Sequence, residues 1–517
     1  MGDKRRKSKS LRVPHLPLVS ERNPAEVWLH IIEDSNLTDE DITNLSFVSR
    51  FVRWISQPIL FRKISASIFS QPSGPPGTTT FYLERLRARL AFATSQRIAH
   101  GVNSVAIRCS SGTSSFAADY VVDASLLVEA VFSALPNFQN LSSFSISDSK
   151  LSGRHFDILA QLPRLSGLHF YRCSGSGDLG LSRFRLTELS LHGTIGGSFG
   201  WWISLMNPST IQSLSYSTLD GTLSPIERFL SPPNPDSEDS VNLFFPALSI
   251  GPRMTNLAVL RLPSHAPQSR CYVTALQRCP NVQCLIVEPG SRFSQVVPVY
   301  LPPSTMPRLK AVSAVLAFVE GSFLIGSKRQ LKQLRIEDAM RSSAAVLSLT
   351  RQFPSVQELV ITVDMGSSSD VYIELVREIC NQLSGLQGLC VHIEGYYSMA
   401  GSERIWDLLR NPNVFPQSLR SLRILCDNNN NRLSRAVLGM HSIKLSSSRT
   451  QGSKPKRFNS HRMELEVVSG LRRHCPGLVD ICIEVSDERG LVWHEPYTKM
   501  VKWWDWDEQW PIGRCLN

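Results

Sequence analysis

The sequence predicts an α/β protein: a short all-helical module followed by an irregular solenoid whose parallel strands line its concave face. Three observations carry this prediction. An apolar-x-x-apolar-x-apolar unit recurs along most of the chain. Segments of helical spacing precede many of those units. Ahead of them, residues 23–65 carry two helix-capping signatures and a density of bulky apolar residues suited to another kind of module.

The unit begins at Val102, Leu141, Leu165, Leu186, Ile211, Leu257, Val282, Leu309, Leu331, Val356, Leu386, Leu419 and Leu478. It is clearest in "LPNFQNLSSFSIS", "LPRLSGLHFYRC", "CPNVQCLIVEP", "FPSVQELVITVD" and "CPGLVDICIEVS". Its last two apolar positions lie two residues apart and so share one face of a short strand. "ASLLVEAVFSAL", "RHFDILAQL", "YVTALQRC", "DVYIELVREICNQL" and "MELEVVSGLRRHC" supply helices ahead of strands. A single helix–strand unit cannot bury its own apolar face, whereas stacked units can.

With a regular spacing near 25 residues, the pattern resembles leucine-rich-repeat proteins, whose repeats run about 20–29 residues. One feature departs from that family. Eight positions after the first apolar residue, where Asn or Cys is usual, Cys173 fits but Ser149, Thr194, Gly290 and Ala339 do not. Losing the ladder that Asn supports implies an irregular coil.

The helical module starts at "NPAE", with Asn23 as N-cap, Pro24 at the first helical position and Glu26 as the acid of the first turn. "TDED" repeats the device with Thr38 and Asp41. A third helix is predicted from Ser49 to Gln57, ended by Pro58. Three short helices make a small core for so many large apolar groups, so a partner is expected to cover part of the surface.

"NPAEVWLHIIEDSNLTDEDITNLSFVSRFVRWISQPILF" resembles an F-box of the kind found in fungal F-box/leucine-rich-repeat proteins. Pro24, Glu26, Val27, Trp28 and Ile31 match the start of that motif. Asp41, Ile42, Leu45, Val48, Ser49 and Arg50 match its middle, and Arg53, Ile55, Ser56, Pro58, Leu60 and Phe61 its end. Asn23 replaces the usual Leu, and Val52 stands where an aromatic is common. The resemblance implies a substrate-recruiting subunit of a cullin–RING, SCF-type ubiquitin ligase. The F-box would dock a Skp-type adaptor through Pro24, Val27, Trp28, Ile31, Ile32, Leu45, Val48, Ile55, Pro58 and Leu60. The repeats would bind an unidentified protein substrate. The alternative is a leucine-rich-repeat interaction scaffold not tied to a ligase.

The chain thus divides into a basic tail (1–20), the F-box (21–65), a linker (66–80), the solenoid (81–491) and an aromatic, acidic cap or tail (492–517). Insertions near 221–242 and 427–461 are expected to be disordered from their Pro/Asp/Ser and Asn/Ser/Lys content. Residues 1–12 carry a net +5 and 428–462 a net +8. Against a total of +11, the rest sums to −2. A groove for nucleic acid needs its charge on the fold, so nucleic acid is not the expected partner.

No apolar run is long enough to span a membrane and no secretory signal opens the chain, which favours a cytoplasmic or nuclear protein. The cysteines are odd in number and form no C-x-x-C, so neither a disulfide framework nor a zinc site is expected. No phosphate loop, nucleophile elbow or zinc-protease motif appears, so no catalytic residue, cofactor or metal is expected. For the substrate, the concave strand positions offer His169, Tyr171, His192, Arg261, Arg335, Glu337, Arg423 and Glu484, which places the site on the middle and C-terminal strands. The C-terminal "WHEPYTKMVKWWDWDEQW" either seals the open end or offers aromatic anchors to a partner.

Overall fold

The computed structural model describes residues 25–34, 37, 39–69, 78–110, 124–176, 184–193, 195–217, 236–263, 266, 271–288, 299–323, 330–340, 342–364, 369–394, 399–427, 460–486 and 489–494. The basic tail, Asn23, Pro24, Thr38, residues 428–459 and the Trp-rich end beyond His494 lie outside them. The chain resolves into two compact units. One is Met1–Ser147 with Arg154–Leu165; the other is Asp148–Gly153 with Ser166–Asn517.

The first unit opens with helices α1 (Ala25–Asp34), α2 (Asp39–Ser46) and α3 (Arg50–Leu60). Strands β1 (Lys63–Phe69), β2 (Ser104–Ser110) and β3 (Ser143–Ser147) then pair in parallel, in chain order. Helices α4 (Thr78–Ala93), α5 (Gln96–Ala99), α6 (Ala124–Ala134) and α7 (Gly153–Ala160) complete it.

The second unit is built on a large parallel sheet. Its strands are β5 (Gly167–Tyr171), β7 (Glu188–His192), β8 (Ser213–Ser217), β9 (Val259–Leu262), β10 (Cys284–Val287), β11 (Ala311–Ala314), β12 (Gln333–Met340), β13 (Glu358–Val363), β14 (Gly388–Glu394), β15 (Ser421–Asp427) and β16 (Asp480–Ser486). Strand β17 (Arg489–His494) returns antiparallel along β16. Two-residue strands β4 (Lys150–Leu151) and β6 (Ser174–Gly175) pair separately. Helices α8 (Phe199–Ser204), α9 (Asp236–Ile250), α10 (Tyr272–Gln277), α11 (Leu316–Ser322), α12 (Ser343–Gln352), α13 (Ser369–Gln382), α14 (Met399–Arg410) and α15 (Ser460–His474) fill the connections.

The repeat explains this register. From Val102 to Leu478, every predicted unit opens on a buried residue, and a strand begins two positions later. The other two apolar positions turn to the same side, as Leu168 and Phe170 do in β5 and Leu389 and Val391 in β14. Backbone bonds hold successive coils together. Within each unit, the carbonyl just before a strand accepts two consecutive N–H groups of the next parallel coil. Gln212 O takes Ala258 N and Val259 N, Gln357 O takes Gln387 N and Gly388 N, and Arg420 O takes Val479 N and Asp480 N. A main-chain ladder of this kind needs no asparagine, which is why the register persists without one.

Several expectations need correction. Of the expected linker, residues 66–69 belong to β1 and residues 78–80 open α4, while 70–77 lie outside the described residues. Strand β1 belongs to an extra unit, Phe61-x-x-Ile64-x-Ala66, concealed because Phe61 also ends the F-box match. The insertion near 221–242 gives way to α9 from Asp236, and residues 492–494 lie in β17. Helix α9 fills the long gap between Ile211 and Leu257 with aromatic packing. Tyr216 stacks on Phe244 at 4.3 Å, and Phe245 meets Tyr272 edge-on at 5.3 Å. Pairs of this geometry contribute about 0.5–1.5 kcal/mol each beyond area burial.

Proline 58 does not end the third helix, which runs on to Leu60 with Ser49 as its N-cap, accepting from Val52 N at 3.1 Å. A helix-interior proline strips the carbonyl four residues back of its partner. That carbonyl is Trp54 O, and Arg97 Nη2 from α5 donates to it. The chain also passes so close that a Cβ at Gly101 would sit 2.8 Å from Pro58 O, so this position requires glycine. The missing helix bond is thus supplied by a neighbouring segment.

Candidate functional site

In the first unit, α1–α3 have a core of their own. Ile32, Ile42 and Ile55 are buried together, with Trp28, Leu37, Leu45, Phe51, Ile59 and Leu60 packed against them. Of the residues assigned to an adaptor, Ile32 and Ile55 therefore face inward, while Trp28, Leu45, Pro58 and Leu60 are half-buried. Val27, Ile31 and Val48 are exposed. The sequence reading missed two exposed aromatics beside them, Phe47 at 69% and Trp54 at 55%. Both carry an arginine over the ring, Arg53 at 5.9 Å from Phe47 and Arg97 at 4.9 Å from Trp54. A cation over an aromatic face is attracted by the ring quadrupole and braces it.

Charge on this unit is sharply divided. Residues 25–49 hold Glu26, Glu33, Asp34, Asp39, Glu40 and Asp41 with no Lys or Arg. Residues 50–108 hold Arg50, Arg53, Arg62, Lys63, Arg85, Arg87, Arg89, Arg97 and Arg108 against Glu84 alone. Apart from half-buried Arg62, these basic groups are exposed. Summing the charge outside the tail and insertion to −2 concealed this basic stretch.

In the second unit the sheet has a face opposite its apolar core, and strand register defines its rows. His169, Ser190, Ser215, Arg261, Ile286, Ser313, Arg335, Val360, Cys390, Arg423 and Cys482 are successive neighbours across the strands. The sequence-derived substrate residues fall on this face but meet different fates.

At the N-terminal end, Tyr171 and His192 stack with centroids 4.7 Å apart and planes 11° apart. His169 lies beside them, its basicity lowered by burial and partly restored by Glu188. Arg261 stands opposite Ser215, its side chain 29% exposed, and the nearest carboxylate oxygen among the described residues, on Glu288, is 4.0 Å away. Ser217 Oγ donates to that carboxylate. Ser215 Oγ is shut off from solvent and has no hydrogen-bond partner among the described residues. Leaving a buried hydroxyl unsatisfied costs about 1–3 kcal/mol.

Toward the C-terminal end the face closes. Val360, Cys390, Ser421, Arg423, Asp480 and Cys482 are all buried. Arg423 donates through Nε and Nη2 to Asp480 Oδ2 at 3.1 and 3.0 Å, and Ser421 Oγ donates to the same oxygen at 2.9 Å. This is an internal ion pair, and Arg423 is corrected from substrate contact to structural clasp. Arg335 pairs with Glu337 at 2.9 Å on its own strand, and Glu337 also accepts from Ser313. Glu484 pairs through its backbone with Gly490 in β17, and its side chain lies outside the described set. Burial pushes the Cys390 thiol up to about 12, as expected for an inert thiol. No group of His, Cys, Asp and Glu among the described residues could hold a metal, and no helix among them is long and apolar enough to cross a membrane.

Neither a protein-family model nor a curated protein matches this chain. Among solved structures, the crystal structure of the mouse RP105/MD-1 complex is similar at 11% identity and a TM-score of 0.28. The match covers 64% of this chain and 57% of that one, so less than two thirds of its length is spanned. At that TM-score the likeness supports no statement about this chain. Its α/β architecture, with a large parallel sheet, rests on the strand register itself.

Proposed function

We propose that this chain is the substrate-recruiting, non-catalytic subunit of a cullin–RING, SCF-type ubiquitin ligase. On this reading α1–α3 form an F-box that docks a Skp-type adaptor, and the second unit binds the protein to be modified. The chemistry then belongs to other subunits, and this chain contributes proximity.

One observation supports the docking role most directly. Val27, Ile31, Phe47, Val48 and Trp54 remain exposed at 43–69% on a module that already has its own packed core. Large apolar groups left outside a satisfied core are the usual mark of a protein interface. They sit within the segment that resembles an F-box. The test is co-purification with a Skp-type adaptor. Ile31→Asp with Val48→Asp changes only exposed positions, so the fold should persist while capture falls at least tenfold. Wild-type chain that captures no adaptor would leave the scaffold reading instead.

A further inference from the structure

We propose that the open sheet face from β5 to β9 binds an acidic segment of a protein, seating a carboxylate or phosphoryl side chain between Arg261 and Ser215. This deepens the recruitment role given above to the second unit and does not require the adaptor.

The guanidinium of Arg261 is the first argument. It presents five donors in a planar fork suited to a two-oxygen anion. Among the described residues its nearest carboxylate oxygen is 4.0 Å away, beyond hydrogen-bond reach, and that carboxylate is already engaged by Ser217. Arg335 and Arg423 each close a carboxylate contact of 3.0 Å or less. Among the described residues, Arg261 differs from these two in having no carboxylate oxygen within hydrogen-bond distance.

Ser215 is the second, independent argument. It is the direct strand neighbour of Arg261, and its hydroxyl is desolvated without a partner. A native structure keeps few such groups, and a bound water, ion or ligand is one way to complete the missing bond. The hydroxyl is shut off from solvent, so an anion oxygen reaches it only when a covering side chain moves aside on binding; bridging Arg261 and Ser215 would then satisfy both.

The surroundings fix the kind of ligand. Ser190 and Ser213 make a low floor beside the pair. The Tyr171–His192 stack rises beyond it and offers a flat ring face to a neighbouring side chain. From β5 to β9 the face spans three strand spacings, about 14 Å, which an extended peptide crosses with about four or five residues. Glu188 and Glu288 lie on or beside the same face. They oppose any anion, which confines the favourable contact to the guanidinium of Arg261 and disfavours the repeated phosphates of a nucleic acid.

The test uses the full chain and three fluorescein-labelled nonapeptide pools, with a fixed central Glu, phosphoserine or Gln, read by polarisation at low ionic strength. The Glu or the phosphoserine pool should bind at least tenfold more tightly than the Gln pool. The tighter of the two names the natural anion, and competition by inorganic phosphate alone marks a site for the phosphoryl group. Arg261→Gln should erase the preference. Ser215→Ala should weaken binding several-fold without lowering the melting temperature, since it removes an unsatisfied group. Equal binding of all pools, binding by none, or a preference that survives Arg261→Gln would overturn the proposal. Adaptor co-purification by the wild-type chain is scored separately, so failure of the docking role leaves this result interpretable.

Discussion

Strands β5–β9 and β13–β16 share one backbone ladder, one direction and one spacing, yet present opposite surfaces. On β5–β9 the alternate positions hold His169, Tyr171, His192 and Arg261 over a serine floor, with groups still able to bond. On β13–β16 the positions that continue the row of His169 and Arg261 hold Val360, Cys390, Arg423 and Cys482, and Asp480 folds Arg423 down into the surface. The difference lies in side-chain pairing across strands. Two arginines on one row, Arg261 and Arg423, become a candidate recognition group and a structural clasp because only the second has a carboxylate within 3.0 Å. A repeat scaffold therefore sets where side chains stand, and local partners decide which are available.

The largest effect is expected from breaking the closed region. Asp480→Asn leaves Arg423 buried without a counter-charge, which should lower the local stability of β15 and β16 by about 3–5 kcal/mol. Amide hydrogen exchange would read this as faster exchange confined to those strands. The paired change Arg423→Met with Asp480→Leu should recover most of the loss, because no buried charge remains. Equal damage by the single and the paired changes would show that the pair is not the clasp.

A smaller effect distinguishes the open region. His169 is held below its ordinary value of 6.5 by burial, with Glu188 opposing. The unfolded chain then takes up more protons than the fold once pH drops below 6.5. Stability from this group is complete above that value and is lost as pH falls through it. Between pH 7.5 and 5.5 the wild-type chain should lose more thermal stability than His169→Gln. An identical loss in both would remove His169 from the account.

Much of this fold was legible in the sequence. The apolar triplets located every strand from β2 to β16 save the two-residue pair, because burial of alternate residues is a local, periodic demand. Strand β1 was hidden by a motif that claimed Phe61 for another purpose. Continuation of the third helix past Pro58 depended on Arg97, a residue 39 positions away, and local rules could not supply it. The site was less legible still. Which face His169 and Arg261 occupy follows from alternation, but the clasp joins Arg423 to Asp480 across an insertion, a pairing that only strand adjacency reveals. The unpartnered hydroxyl of Ser215 likewise has no sequence signature.

The contrast between the two regions can be read on the free protein by hydroxyl-radical footprinting with mass-spectrometric readout. Thiols are intrinsically the more reactive targets, so accessibility and chemistry pull in opposite directions. The account predicts that Tyr171 and His192 are oxidised at rates typical of half-exposed rings, while Cys390 and Cys482 stay reduced over the same exposure. Oxidation of Cys390 and Cys482 as fast as, or faster than, Tyr171 would mean that the C-terminal part of the face is open, and would contradict the account.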